Sequence, residues 1–496
     1  MNGRPIETPD GTLLIDVAKT AGIEIPHYCY HPALGNPGNC RMCLVEVVGF
    51  PKLQPACRLK AADGMVVSTE SPAVLAAQAG ELELHLVNHP LDCPVCDQAG
   101  ECGLQDYYME VGRYKSSVSE DKRHFDKRKP VGPHIMLDQE RCIACTRCIR
   151  FLGQVTKTAE LGMFGRGCSE RIDLAPGKVL DNPYSGNLAD VCPVGALTDR
   201  DFRHQVRVWY LDETPSVCPG CSRGCSIDIH SSTKRPWHNE GRRVARLKPR
   251  FNPAVNGWWM CDEGRYSYKT LDQDRLGKVL RLKPERAELS WDAAFTELAG
   301  RAGELLEDKG ASGLVVVASG ALSNEDWRAF KKLFVDSWKV VQFVFDPAPE
   351  QTGAQDPLLR RKEKVPNLKG GEALGFGTQV KSAPWETLEC SIEAGRIWGL
   401  YVVDRDLTRV WGAKTAELLS RLDLVVFQGP FKGGTGDLAH YRLPATATAE
   451  EEGSFTNFEG RLQGYARALA PVGCALPDWR IFEGLLARHR ARRREG

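Results

Sequence analysis

Cysteine placement constrains this chain more than any other feature. Eighteen cysteines occur among 496 residues, and sixteen of them lie before residue 262. Most fall into four groups. Cys29, Cys40, Cys43 and Cys57 are separated by 10, 2 and 13 residues. His89 precedes Cys93, Cys96 and Cys102. Cys142, Cys145 and Cys148 are followed by a distant Cys192-Pro193, and Cys218, Cys221 and Cys225 by Cys261. Only Cys168, Cys390 and Cys474 stand outside the groups. A C-x2-C turn brings two thiolates to one metal centre while backbone N–H groups point at the sulfurs and offset their charge. A C-x2-C-x2-C triplet covers three corners of a cubane, and the fourth ligand comes from elsewhere, often a Cys before Pro. Zinc is the competing reading for any single C-x2-C pair: the second group alone fits a Cys3His knuckle and the fourth alone is ambiguous, whereas the third, a triplet with a remote Cys-Pro, goes against zinc and the first resembles [2Fe–2S] loops. Four groups in series favour redox centres, because a serial array explains their number.

Composition excludes several classes. No apolar run approaches the roughly 18–20 residues that span a bilayer; the best, Gly313–Ala318, reads as a buried strand. Residues 1–30 carry no secretory pattern. The chain reads as neither membrane-spanning nor secreted, so a disulfide framework is not expected. Sixty-five basic against 64 acidic residues leave a net charge of +1, unlike a nucleic-acid binder. Gly433–Gly436 follows an apolar strand but lacks the G-x-G-x-x-G spacing and, on the sequence, a following helix; Gly370, Gly371 and Gly375 fit no better. This chain is therefore not expected to bind NADH or flavin itself. The basic tail Arg488–Arg494 reads as a solvated helix end.

Five blocks follow from the punctuation. Residues 1–80 hold turn signals at Pro9-Asp10-Gly11 and Asn36-Pro37-Gly38, a helix over Thr12–Ala21 stopped by Gly22, and a second helix from Ser71 with Leu75, Leu82 and Leu86 on its apolar face. Residues 81–135 end in the charged stretch Ser119–Pro130, read as a solvated linker. Residues 136–208 and 209–270 hold the third and fourth cysteine groups. Residues 271–496 alternate helical segments such as Trp291–Lys309 with short apolar runs at Leu314–Ala318 and Leu422–Phe427, the pattern of parallel α/β units.

Specific strings then carry a family resemblance. Ile25-Pro-His-Tyr-Cys-Tyr-His-Pro32 with Gly38-Asn-Cys-Arg-Met-Cys-Leu-Val-Glu-Val47 resembles the [2Fe–2S] loop of the large iron–sulfur subunit of respiratory complex I. Asn88–Cys102 and Arg141–Arg150 resemble two further signatures of that subunit. Leu443-Pro-Ala-Thr-Ala447 and Glu452–Arg461 resemble its molybdopterin-oxidoreductase-like region.

The resemblance implies a multidomain α+β and α/β chain: a β-grasp [2Fe–2S] ferredoxin domain, a His/Cys3 [4Fe–4S] domain, a ferredoxin-like [4Fe–4S] domain, a molybdopterin-oxidoreductase-type [4Fe–4S] domain and a reduced molybdopterin-oxidoreductase-like region. It assigns Cys29, Cys40, Cys43 and Cys57 to [2Fe–2S]. His89, Cys93, Cys96 and Cys102 take a histidine-ligated [4Fe–4S]; Cys142, Cys145, Cys148 and Cys192 take a second. Cys218, Cys221, Cys225 and Cys261 take a third, off the main path. His89 read alone is a surface or cap residue; its place before the cysteines makes it a ligand. His27, His31 and His85 are read as cluster-lining or packing groups, and Cys168 as a spare thiol. No catalytic residue and no molybdenum are expected. The implied role is electron relay within NADH:quinone oxidoreductase, from the flavin/NADH-binding subunit towards a quinone-side iron–sulfur subunit and the other peripheral-arm subunits. The chain would lie peripherally at the cytoplasmic face of the inner (plasma) membrane, touching it only through partners. Two departures stand out: family members have a strand before the position of Asn2-Gly3-Arg4, and residues 271–496 are short for a full molybdopterin-type domain. The rival readings are the diaphorase-side subunit of an NAD-linked hydrogenase or formate dehydrogenase, and a zinc-built scaffold.

Overall fold

The computed structural model describes residues 1–235, 237–345, 353–376 and 385–495. The chain divides into two units, Met1–Leu211 and Asp212 onward.

In the first unit, α1 (Leu14–Thr20) buries Leu14, Ile15 and Ala18 against β1 (Leu44–Val47), which pairs antiparallel with β2 (Gln54–Pro55) and β3 (Val67–Ser68). Gly22, at φ +71°, lies just past the helix end, as a left-handed stop requires. α2 (Pro72–Leu86) begins at Ser71, whose hydroxyl accepts from the Val74 N–H at 3.4 Å, with Pro72 in the first turn where its missing N–H costs nothing. Its buried face is Val74, Gln78, Ala79 and Leu82. Leu75, expected on that face, is 42 % exposed, because the helix turns it one position away from β1.

α3 (Gly103–Val111), β4 (Lys129–Pro130), β5 (Ile135–Leu137), α4 (Arg147–Phe151), β6 (Leu161–Phe164), β7 (Arg171–Leu174), α5 (Asn187–Val191) and β8 (Leu197–Asp199) complete the unit. β5 lies between β4 and β8 in an antiparallel sheet, and β6 pairs with β7. Ser119–Pro130 is mostly exposed, as a solvated stretch should be, but three of its lysines are tied to the fold. Lys122 Nζ donates to the carbonyls of Leu86 and Val87, Lys127 pairs with Asp92 and Glu140, and Lys129 with Asp173, so its charges are spent on neighbours.

The second unit opens with an antiparallel sheet of β9 (Asp212–Val217), β10 (Ser226–Ser231) and β11 (Val244–Pro249), with β10 central. A seven-stranded sheet follows: β12 (Leu280–Arg281), β13 (Ala287–Glu288), β14 (Leu314–Val317), β15 (Gln342–Val344), β16 (Gly399–Val403), β17 (Leu424–Gly429) and β18 (Tyr441–Pro444), in the order β13-β12-β18-β17-β16-β14-β15. β14 to β18 run parallel, and every residue of β14, β16 and β17 is buried, as a sheet covered on both faces demands. α6 (Trp291–Lys309), capped by Ser290 and stopped by Gly310 at φ +76°, lies on one face with α7 (Asn324–Phe330) and α9 (Asp478–Glu495); α8 (Trp385–Glu393) lies on the other. Chain order reverses between β14 and β16, the switch point where such sheets open a crevice at the strands' carboxyl ends. β19 (Gly453–Thr456) and β20 (Leu462–Tyr465) form a hairpin. A helix does follow Gly433, contrary to expectation, but it is the five-residue Gly434–Leu438 and starts inside the glycine run. Among the described residues no helix is long and apolar enough to cross a membrane.

Candidate metal centres

Cys29, Cys40, Cys43 and Cys57 are all buried around β1 and β2. Their thiols form a chain of hydrogen bonds: Cys40 and Cys57 hold Cys29 below the ordinary thiol range, Cys57 does the same to Cys43, and Cys40 and Cys57 are held up in return. The Cys29 N–H donates to Cys40 Sγ at 3.4 Å. Three nearby histidines have other partners. His85 Nε2 donates to the Cys40 carbonyl at 3.1 Å, His27 Nδ1 to Ile25 O at 2.8 Å, and His31 Nδ1 accepts from the Ala33 N–H at 3.1 Å.

His89, Cys93 and Cys102 line one open hollow of about 500 Å3 beside α2 and α3. Cys102 sits directly before α3; burial pushes its thiol up to about 11 against the pull of the Leu104 and Gln105 N–H groups. Cys96 and Cys93 are near enough that their charges add to that rise. A Cβ on Gly195 would stand 2.3 Å from Cys96 Sγ, so only glycine leaves that sulfur its place. Burial lowers the His89 imidazole to about 4, and its Nδ1 is buried without a hydrogen-bond partner. A neutral ring with an orphaned nitrogen among thiols fits a metal ligand.

Cys142, Cys145, Cys148 and Cys192 surround one small closed cavity walled by Leu137, Ile143 and Ile172. Ala144 and Thr146 take left-handed backbone, φ +51° and +63°, an unusual state for non-glycine residues that re-aims the loop's N–H groups. The Ala144 N–H meets Cys142 Sγ at 3.4 Å, and those of Val194, Ala196 and Leu197 serve Cys192. Burial pushes Cys142 to about 12 and Cys145 to about 11, and raises Cys148 and Cys192 too.

Cys218, Cys221, Cys225 and Cys261 surround a second closed cavity. Cys261 opens the helical turn Asp262–Arg265 and accepts from the Gly264 N–H at 3.4 Å. A Cβ on Gly264 would lie 2.8 Å from Cys218 Sγ. Burial pushes Cys261 to about 11 and Cys218 and Cys225 up as well. Cys168, Cys390 and Cys474 are exposed.

Among the described residues no three His, Cys, Asp or Glu side chains close on a point that could hold one metal ion. Around each closed cavity the cysteines bracket a space.

Sequence reasoning missed the basic side chains between the groups. Arg147 and Arg150, on α4 either side of Cys148, reach the Cys29 loop. Arg150 Nη1 donates to Leu34 O at 2.6 Å and Gly35 O at 2.9 Å, and its Nη2 to the carbonyls of Cys29 and Cys145. Arg147 Nη2 donates to Tyr30 O and Nη1 to Val191 O. Arg141 holds Asp92 with two hydrogen bonds at 3.1 and 2.7 Å, bracing the turn into Cys93. A readable signal existed for the glycines alone: Gly195 and Gly264 each stand three residues after a lone cysteine.

Family comparisons agree on the class. Residues 1–72 match a 2Fe-2S iron-sulfur cluster binding domain and residues 78–117 an NADH-ubiquinone oxidoreductase-G iron-sulfur binding region. Residues 132–198 match the ferredoxin-like domain of NADH-quinone oxidoreductase subunit 3, 211–273 the molybdopterin oxidoreductase Fe4S4 domain, and 384–488 molybdopterin oxidoreductase. The chain is thus an iron–sulfur protein with 2Fe-2S and 4Fe-4S binding domains. Among curated relatives, the G-type subunit of NADH-quinone oxidoreductase from Streptomyces coelicolor is 40 % identical over 67 % of this chain and 38 % of its own length. The protein of the same name from Rickettsia bellii is 36 % identical over 71 % of this chain and 51 % of its own. The mitochondrial NADH dehydrogenase [ubiquinone] iron-sulfur protein 1 of Solanum tuberosum is 41 % identical over 56 % of this chain and 36 % of its own. The chain is similar over about 70 % of its length to the G-type and 75 kDa subunits of NADH-quinone oxidoreductase. It spans between about a third and a half of the length of these relatives. A chain from a crystal structure of NAD+-reducing [NiFe]-hydrogenase in the H2-reduced state aligns over 41 % of this chain and 88 % of that one, at 29 % identity and a TM-score of 0.36.

Proposed function

We propose that this chain is an electron-relay subunit of NADH:quinone oxidoreductase, placed between a flavin/NADH-binding subunit and a quinone-side iron–sulfur subunit at the cytoplasmic face of the membrane. The observation that carries this reading is the recurrence of one device. In each group buried sulfurs are served by backbone N–H donors and, in two of the four, by a glycine that keeps a sulfur's space clear. Cys29, Cys40, Cys43 and Cys57 would hold a [2Fe–2S] cluster; the His89, Cys142 and Cys218 groups would each hold a [4Fe–4S]. The five blocks 1–80, 81–135, 136–208, 209–270 and 271–496 are the matching domains, and residues 271–496 serve as scaffold without molybdenum.

The clusters supply one-electron outer-sphere transfer. The chain's own residues do the rest. Burial excludes water, N–H groups offset thiolate charge, and the imidazole of His89 replaces one anionic ligand by a neutral one. The raised thiols of the two closed cavities mean that loading must expel their protons, so iron binding strengthens as pH rises.

Iron, zinc and acid-labile sulfide measured per chain on anaerobically purified protein, with EPR after reduction, test the reading. About fourteen irons with little zinc are expected from one [2Fe–2S] and three [4Fe–4S] centres. About ten irons would retain the relay but strike out the Cys218–Cys261 centre. Zinc in place of iron would leave a structural protein.

A further inference from the structure

The second unit holds an open cavity of about 230 Å3 at the switch point between β14 and β16, walled in part by Val217 and Pro219 on either side of Cys218. Its walls are apolar, with Val217, Ile227, Ile229, Leu247 and Phe431. Its polar end is made by Asp326, Asp404, Glu451 and Asp478, and no lysine, arginine or histidine is found among the described residues that line it. Three of these acids have internal partners. Asp326 Oδ2 accepts from the Ser323 N–H at 2.7 Å and hydroxyl at 2.6 Å, and Oδ1 from the Trp479 N–H at 2.8 Å, so it caps α7 and braces the start of α9. Glu451 accepts from the hydroxyls of Thr446 at 2.6 Å and Tyr465 at 3.1 Å. Asp478 Oδ1 accepts from Gln428 Nε2.

Asp404 differs. It follows the last residue of the central strand β16 in left-handed backbone, φ +49°. Asp404 is partly exposed, lines the cavity, and its carboxylate accepts no hydrogen bond among the described residues. The next residue, Arg405, sends Nη2 to the Ala318 carbonyl at 3.4 Å and does not line the cavity. The Arg405 charge acts on Asp404, but no donor of the chain bonds its carboxylate, and an acid so placed at the end of an apolar cavity can take one from a cationic ligand.

The surrounding sequence matches molybdopterin oxidoreductase over residues 384–488. Pterin cofactors of that class carry phosphate and anionic sulfur, which require cationic side chains or open helix N-termini. This cavity offers four acids and no base, and the nearest helix start is already capped by Asp326. The residues present do not fit that group.

We propose instead that the cavity binds a small organic cation, an ammonium or amidinium carried on an apolar body, with Asp404 as its counter-ion. The relay reading neither requires this site nor falls with it. The test is saturation-transfer NMR and thermal melting of the anaerobically purified full chain with benzamidine and phenethylamine, each against its neutral counterpart, benzamide and 2-phenylethanol. Both cations should bind saturably and raise the melting temperature, with the neutral molecules weaker by about tenfold or more. Asp404→Asn keeps the shape and tolerates left-handed backbone. It should lose that preference, keep the iron content, and melt higher than wild type without ligand, because the unpaired charge is gone. The wild-type comparison stands on its own if the variant misfolds. The proposal is overturned if neither cation binds at millimolar concentration, if neutral and charged probes bind alike, if Asp404→Asn keeps the preference, or if a pterin phosphate binds in preference to the amines.

Discussion

Burial keeps the His89 ring neutral at physiological pH, and its orphaned Nδ1 has nothing to bond within the chain. As a ligand it would bring one negative charge fewer than a cysteine. His89→Cys is therefore expected to retain iron while lowering the midpoint of that centre by on the order of 100 mV. A potentiometric EPR titration reads this, and an unmoved midpoint would refute the ligand role. Gly195 makes a sharper claim about the same centre. Its missing Cβ is what leaves room for Cys96 Sγ. Gly195→Ala should remove about four irons per chain and silence the His89 signal alone, leaving the other EPR features intact. Loss of all signals together would mean a folding defect instead.

Among the elements, α4 carries most. Five residues long, it supplies Cys148 and two guanidiniums that grip carbonyls of the Cys29 loop. Arg150→Ala should destabilise the first unit by about 3 kcal/mol, since charge-assisted hydrogen bonds to several carbonyls are lost at once. Thermal melting measures it, with Arg150→Lys as the partial rescue; equal stability of Ala and wild type would dismiss the clamp. None of this was legible in the sequence, because a guanidinium seeking backbone carbonyls more than a hundred residues away leaves no local pattern. The cysteine groups were legible because ligand spacing is set by chain geometry near the metal. Helix ends at Ser71 and Ser290 were legible through their caps, whereas Leu75 was misplaced because helical periodicity tolerates a shift of one residue. Ser119–Pro130 is exposed as its charges indicated, whereas the ties of Lys122, Lys127 and Lys129 to distant partners left no local pattern.

Across the whole molecule, acid should move the two units in opposite directions. In the first, lysine and arginine partners hold Asp92, Glu140 and Asp173 below the usual carboxylate range. Their stabilisation is present above the unfolded-state pKa and is lost as pH falls through the folded one. In the second, burial raises Asp326 and Asp404 from 3.8 to about 6 and lifts Glu451 and Asp478 further. There the native state holds the extra protons, so stability declines as pH climbs from about 4 to about 6 and beyond. Calorimetry at pH 7.5, 5 and 3 should show the second unit's transition rising between pH 7.5 and 5 while the first unit's holds, and the first unit's falling between pH 5 and 3. A common shift of both would contradict the carboxyl assignments.

The clamp from α4 also bears on how such a protein matures. The helix that positions Cys148 is the same one that tethers the backbone of Cys29 and of Tyr30 beside it. If the proposed cluster assignment holds, a core bound by Cys148 would add an anchor to that helix and so steady the neighbouring loop. Under that assignment filling the two sites would be coupled, the Cys142–Cys148 site supporting the loop of its neighbour.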